Sequence, residues 1–211
     1  MKKLTKDFKD DIKNLITDFE SRSTGEIVPV VLDTSDSYPS AHFRWALLLS
    51  LLAPVLLYLA PITVTDPIWF IAAQASFATL GLLISFHPKF KRFMLTKNQM
   101  NEEVYQRALQ AYFEHGVHTT KDRDGILIFI SNFERRAHIL ADTGIAAKVE
   151  AKVWQDILDK ALIDLKSGNQ AQALTTLVRE TGELLTQQFP RNLSENAAIK
   201  QSELDDGVRT D

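Results

Sequence analysis

WALLLSLLAPVLLYLAPI (Trp45–Ile62) and IWFIAAQASFATLGLLISF (Ile68–Phe86) are two apolar runs joined by Thr63-Val64-Thr65-Asp66-Pro67. Neither run contains Lys, Arg, Asp, Glu or His. As helices, their 18 and 19 residues rise roughly 27 to 29 Å, close to the hydrocarbon thickness of a bilayer. The pair reads as a transmembrane hairpin. The competing reading is a buried helical hairpin, but adjacent charge-free runs of spanning length are rare in soluble cores.

The flanks set an orientation. Arg44 precedes the first run, and Lys89, Lys91 and Arg92 follow the second, whereas the connecting loop carries no positive charge. The positive-inside rule places this membrane-interface set, Arg44, Lys89, Lys91 and Arg92, on the cytoplasmic side. The expectation is a protein of the plasma (inner) membrane with two spans, both termini cytoplasmic. Met1–Glu20 is charged throughout and has no apolar signal core, so targeting is expected to fall to the first span. Within the second run, Ala72, Ala75, Ser76 and Thr79 form a small-residue face, with Ala73 and Gly81 nearby, that suits close packing on the first helix; a homo-oligomer contact is the alternative use. No Asp, Glu, Lys or Arg lies inside either span, which argues against a transporter or proton relay.

Outside the hairpin, about 170 of the 211 residues remain, enough for one compact domain. Mean hydropathy is −0.10 and net charge −3, so a nucleic-acid partner is not expected. There is no cysteine, which removes disulfides, thiolate metal sites and a cysteine nucleophile.

The apolar periodicity continues on both sides. Leu4, Phe8, Ile12, Leu15, Ile16 and Phe19 share a helical face over Lys3–Ser21. EIVPVVL (Glu26–Leu32) is an apolar strand whose Pro29 places it at an edge or bulge. Beyond the hairpin, a helix is expected over Gln99–His115, then a buried strand GILIFI (Gly125–Ile130), a turn at Asn132–Arg135 and a strand RAHILAD (Arg136–Asp142). Two amphipathic helices follow, one with Val153, Trp154, Ile157, Leu158, Ala161, Leu162 and Leu165, the other with Leu174, Leu177, Val178, Thr181 and Leu185. The first two strands bracket a crossover and should be parallel, with the third antiparallel beside the second. The apolar hairpin (residues 44–87) therefore interrupts a single domain made of residues 1–43 and 88–190. Residues 191–211 have little periodicity and read as a mobile polar tail.

Several stretches resemble the TPM domain family. They are STGEIVPVVLDTSDSYP from Ser23, TTKDRDGILIFISNFERRAHILADTGIAAKV from Thr119, VWQDILDKAL from Val153 and ELLTQQFP from Glu183. The likeness is greatest to a bacterial branch with a two-helix insert after the first strand. It implies an α/β (α+β) TPM-like sandwich, a small central mixed sheet flanked by helices. Some relatives are described as divalent-metal binders and a plant relative as an acid phosphatase. After the third strand this chain reads Asp142-Thr143-Gly144-Ile145-Ala146-Ala147, where many relatives have a glycine-rich turn followed by Leu-Glu.

Antiparallel pairing of the second and third strands brings Asp122 and Asp124 to the same end as Asp142. Oxygen-only sets of this kind suit Ca²⁺ or Mg²⁺. The favoured reading, since acidic loops are common, is that Asp122 and Asp124 serve the loop and Asp142 caps the following turn, with the metal set Asp122, Asp124 and Asp142 as the alternative. Asp33 and Asp36, with Asn132 and Glu134, form a second polar set at the opposite end. His115 and His118, three apart, make zinc conceivable, but no third nitrogen or sulfur ligand is close in sequence, and the favoured reading is that they meet the free carbonyls of a helix end. No Walker loop, dinucleotide fingerprint, nucleophile elbow or HExxH occurs. The expected function is a membrane-anchored binding module at the cytoplasmic membrane face, without catalysis. Its partners would be the lipid bilayer and other membrane or envelope proteins. The alternative is a divalent-metal-dependent phosphatase-like hydrolase.

Overall fold

The structure is a computed structural model, and it describes residues 4–61, 66–191, 204 and 207–210. The chain divides into two compact units, residues 1–35 with 101–211, and residues 36–100.

The first unit is built on a four-stranded sheet in the order β3-β2-β1-β4. The strands are β1 (Glu26–Leu32), β2 (Gly125–Ser131), β3 (Arg136–Ala141) and β4 (Arg209–Thr210). As the crossover demanded, β1 is parallel to β2, in register from Glu26 opposite Gly125 to Leu32 opposite Ser131. β3 is antiparallel to β2, with Ile126 opposite Ala141. The ladder to β2 is unbroken at Pro29, because alternate nitrogens of a parallel strand point to the other neighbour, where proline's missing N–H costs nothing. On that other side β4 pairs only with Val30 and Val31, in parallel. This short strand departs from the expectation of an unstructured tail beyond Arg191. The remainder of that tail, residues 192–203, 205–206 and 211, lies outside the described residues.

Strand alternation divides the core in two. Ile27 and Val31, with Ile126, Ile128 and Ile130, face α1 (Lys6–Arg22), α7 (Ala151–Ser167) and α8 (Gln170–Gln188). Val28, Val30 and Leu32, with Leu127 and Phe129, face α5 (Lys97–Glu114) through Val104, Ala108 and Ala111. Every residue of β1 and β2 is buried, as their continuous apolar sequences require. Local chemistry bounds the helices. Thr5 caps α1 by accepting from Phe8 N at 3.3 Å. Gly168 ends α7 at φ 90°, a left-handed conformation that disfavours any side chain.

The second unit contains α2 (Pro39–Leu59), α3 (Ile68–Ser85) and the short α4 (Pro88–Phe93). By length and composition α2 and α3 can each cross a membrane. Their apolar side chains are largely exposed, among them Leu47, Leu51, Leu59, Trp69, Ile71 and Leu83. A soluble core helix would bury them. The seam between these helices is shifted from the expected face toward its neighbours Ala73 and Gly81. Ala72, Ala75, Ser76 and Thr79 are exposed, and the Ser76 and Thr79 hydroxyls bond back to Ala72 and Ala75 carbonyls of their own helix. The packed face instead runs through Ala73, Phe77, Ala78, Gly81 and Ser85. Its closest approach is Gly81, where a Cβ would meet the Trp45 carbonyl oxygen at 2.5 Å. Backbone proximity selects the seam, and only one small residue needs to lie at the crossing. Gly81→Leu is therefore expected to destabilise the hairpin by about 1–3 kcal/mol in a denaturation titration in detergent. Ala72→Leu, on the exposed face, should shift it by less than about 0.5 kcal/mol.

Candidate functional site

The two polar ends of the sheet come from the same topology. At the β2 entrance, Asp124 is buried; its N–H donates to Thr120 Oγ1 at 3.1 Å, and its carbonyl accepts from Glu26 N at 3.1 Å. Asp142, at the end of β3, lies beside it, since Asp142 N donates to Gly125 O at 2.9 Å. The predicted convergence of these two residues is thus present.

The Asp142 carboxylate is engaged in structural work. Its Oδ1 accepts from Thr143 N at 2.6 Å, capping the single turn α6 (Thr143–Ala146). Its Oδ2 lies 3.4 Å from Arg123 Nε. Asp122 is exposed. Gly144 holds the loop close: its N–H donates to Arg123 O, and a Cβ there would meet that oxygen at 2.6 Å. Arg123 also ties the loop to the preceding 3-10 turn, Val117–Thr119, by donating to His118 O at 2.6 Å. Among the described residues no group of three or more His, Asp or Glu side chains is arranged to hold a metal ion. In the set Asp122, Asp124 and Asp142 that the sequence offered for Ca²⁺ or Mg²⁺, one Asp142 oxygen is taken up by the cap and the other faces Arg123. His115 and His118 likewise form no such group; the His118 ring meets Phe113 edge to face with centroids 5.0 Å apart.

Tyr112, on α5, completes this end. Burial first, then the negative charge of Asp142 and a hydrogen bond to it, push its phenol up to about 12. A raised phenol favours the protonated form in the folded state. Below pH 10 folded and unfolded chains both keep the proton, and the stabilisation is whole. Between pH 10 and about 12 the unfolded chain ionises first, so stability falls. Spectrophotometric titration should show one tyrosine ionising near 12, and Asp142→Asn should bring it down toward 10. An unchanged titration would place the cause elsewhere.

At the opposite end, Glu134 is fully buried, which its place in a turn did not announce. Its carboxylate accepts from the Ser131 hydroxyl, from Thr34 Oγ1 at 3.3 Å and from Ser35 N at 3.0 Å. Phe133 N donates to Asp33 O at 2.9 Å. The β1 exit and the β2–β3 turn are thus joined, as their parallel and antiparallel registers imply. Asp36, in the second unit, accepts from Tyr38 N at 2.8 Å. The Glu134 carboxylate thus ties three residues from the two segments together, and this end reads as a structural clasp. Arg135, in the same turn, donates to Lys166 O at 2.9 Å.

The basic residues flanking the hairpin are arranged within the second unit. Arg44 donates to Met94 O at 2.6 Å and Gln99 Oε1 at 3.2 Å, and Lys91 Nζ donates to Ser37 O at 3.1 Å. Lys89 is exposed and Arg92 partly exposed. The Trp45 indole donates to Phe90 O at 2.8 Å, with the two rings edge to face at 5.8 Å. Cationic and aromatic groups therefore gather at the base of the hairpin, a pattern found at membrane–water boundaries.

Comparison with known proteins agrees with this architecture. The TPM domain family matches residues 89–184. The NMR structure of the BA42 protein from the psychrophilic bacterium Bizionia argentinensis superposes with a TM-score of 0.58. It is 18% identical, and the match covers 100% of this chain and 97% of that one. At that identity the likeness speaks for the fold. No curated protein matches the sequence.

Proposed function

We propose, with the TPM domain of residues 89–184 as the premise, that this protein is a membrane-anchored binding module acting at the cytoplasmic membrane face, without catalysis. The observation that carries the reading is the insertion of two exposed apolar helices, α2 and α3, between β1 and β2 of one sheet. The exposed leucines and aromatics of that hairpin call for lipid, since water would penalise so large an apolar patch. The cations Arg44, Lys89, Lys91 and Arg92 then mark the cytoplasmic boundary. Both polar ends of the sheet are engaged in caps and clasps, which fits a scaffold better than a reaction centre.

Two measurements on the full chain test this. Cysteines placed at residue 64 and at residue 121 of this cysteine-free chain should label from opposite sides of the membrane. Labelling of both from one side would refute the two-span anchor. The purified protein should release no phosphate from a generic phosphate ester, with or without Mg²⁺. Turnover that Asp124→Asn abolishes would establish the hydrolase reading instead.

A further inference from the structure

A cleft of about 420 Å³ opens beside the outer edge of β1, lined by Lys9, Val30, Leu32, Arg107, Glu114, His115, Val208, Arg209 and Thr210. It lies within the first unit. Its volume is in the range of small-molecule sites. Three of its lining side chains are formal cations, Lys9, Arg107 and Arg209, against one carboxylate, Glu114. That carboxylate is already bonded to Arg107 at 2.8 Å and to Gln110 at 2.8 Å. Lys9 Nζ donates to Thr210 Oγ1 at 2.6 Å, which uses one of the three N–H groups of an ammonium. Arg209 is the informative residue. Its Nη1 is buried and has no hydrogen-bond partner among the described residues. The residue as a whole is only part-buried and lines the cleft, so its charge is available to an anion there.

We propose that this cleft binds a small organic dianion, a phosphoryl or dicarboxylate compound, with Arg209 as its principal anchor. The planar guanidinium fork suits two oxygens of one anionic group, and Lys9 adds a point charge beside it. The apolar wall of Val30, Leu32 and Val208 suits a short hydrocarbon portion. Arg209 and Thr210 reach the cleft only because β4 pairs with Val30 and Val31. The site is thus completed by the C-terminal segment, and ligand binding and β4 docking reinforce each other.

Calorimetric titration of the full chain in a non-ionic detergent tests this, with inorganic phosphate, phenylphosphonate and succinate as probes at matched ionic strength. Saturable binding of phenylphosphonate or succinate is expected, tighter than that of inorganic phosphate. Saturation by one but not the other identifies the anionic group. Arg209→Gln should weaken binding at least tenfold, and Arg209→Lys by less. Because Arg209→Gln can also loosen β4, Lys9→Gln provides an independent reading and should weaken binding severalfold. In addition, saturating probe should slow amide exchange at Thr210 in the unaltered protein. Absence of saturation by all three probes, or unchanged affinity in both Arg209→Gln and Lys9→Gln, would overturn the proposal.

Discussion

Replacing residues 37–96 with a short Gly-Ser linker is expected to convert a protein that needs detergent for extraction into a soluble one that still melts cooperatively. The first unit supplies both core clusters from its own elements: α1, α7 and α8 on one face of the sheet, α5 on the other. The residues removed contribute the exposed leucines and aromatics of α2 and α3, whose transfer to water is unfavourable by about 25 cal/mol per Å². Loop closure changes slowly with length, so replacing a hairpin by a linker alters stability by only a few RT-sized increments. Sedimentation after membrane fractionation, followed by a thermal melt monitored by circular dichroism, measures both parts of the prediction. A shortened chain that aggregates or melts without cooperativity would mean that the first unit cannot fold without the hairpin.

Phe129→Ala is expected to lower folding stability by about 3–5 kcal/mol. Phe129 lies at the centre of β2, itself the strand flanked by β1 and β3, and its side chain has no exposed surface. It packs with Val28, Val30, Val104 and Ala108, which are themselves fully or almost fully buried and held by strand and helix backbone. Such surroundings collapse poorly around a missing ring, so a cavity term adds to the lost transfer free energy. A single domain commonly has about 5–15 kcal/mol of stability, so this one change removes a large share. Ile163→Ala, at a side chain 72% exposed on α7, serves as the contrast and should change stability by less than about 0.5 kcal/mol. Urea titration of both variants would make the comparison, and similar midpoints for the two would contradict the assigned core.

The sequence by itself determined the two long apolar helices, the strands β1 to β3, their parallel and antiparallel pairing, and the stripes of α7 and α8. Each rests on a local signal repeated many times: charge-free runs of spanning length, period-2 or continuous apolar strands, and period-3.6 helices. The parallel pairing followed from chain connectivity alone. The convergence of Asp124 and Asp142 followed from the hairpin register. The capping role of Asp142 at the turn after β3 followed as well, since an Asp before a Thr-Gly turn suits an N-cap, whereas the Arg123 contact of its other oxygen depends on packing that spacing does not encode. The clasp around Glu134 was hidden for the same reason. Its sequence neighbours look like a solvated turn, and only packing makes it the acceptor for Ser131, Thr34 and Ser35.

Tertiary structure alone decided three further features. The seam of α2 and α3 runs through Gly81, because helix packing answers to backbone distance and several small-residue stripes were available. β4 has two residues, too few to carry any periodicity, and it exists because β1 has an open side at Val30 and Val31. The cationic cleft joins Lys9, Arg107 and Arg209, residues separated by about a hundred positions each, so only the closed sheet edge brings them together.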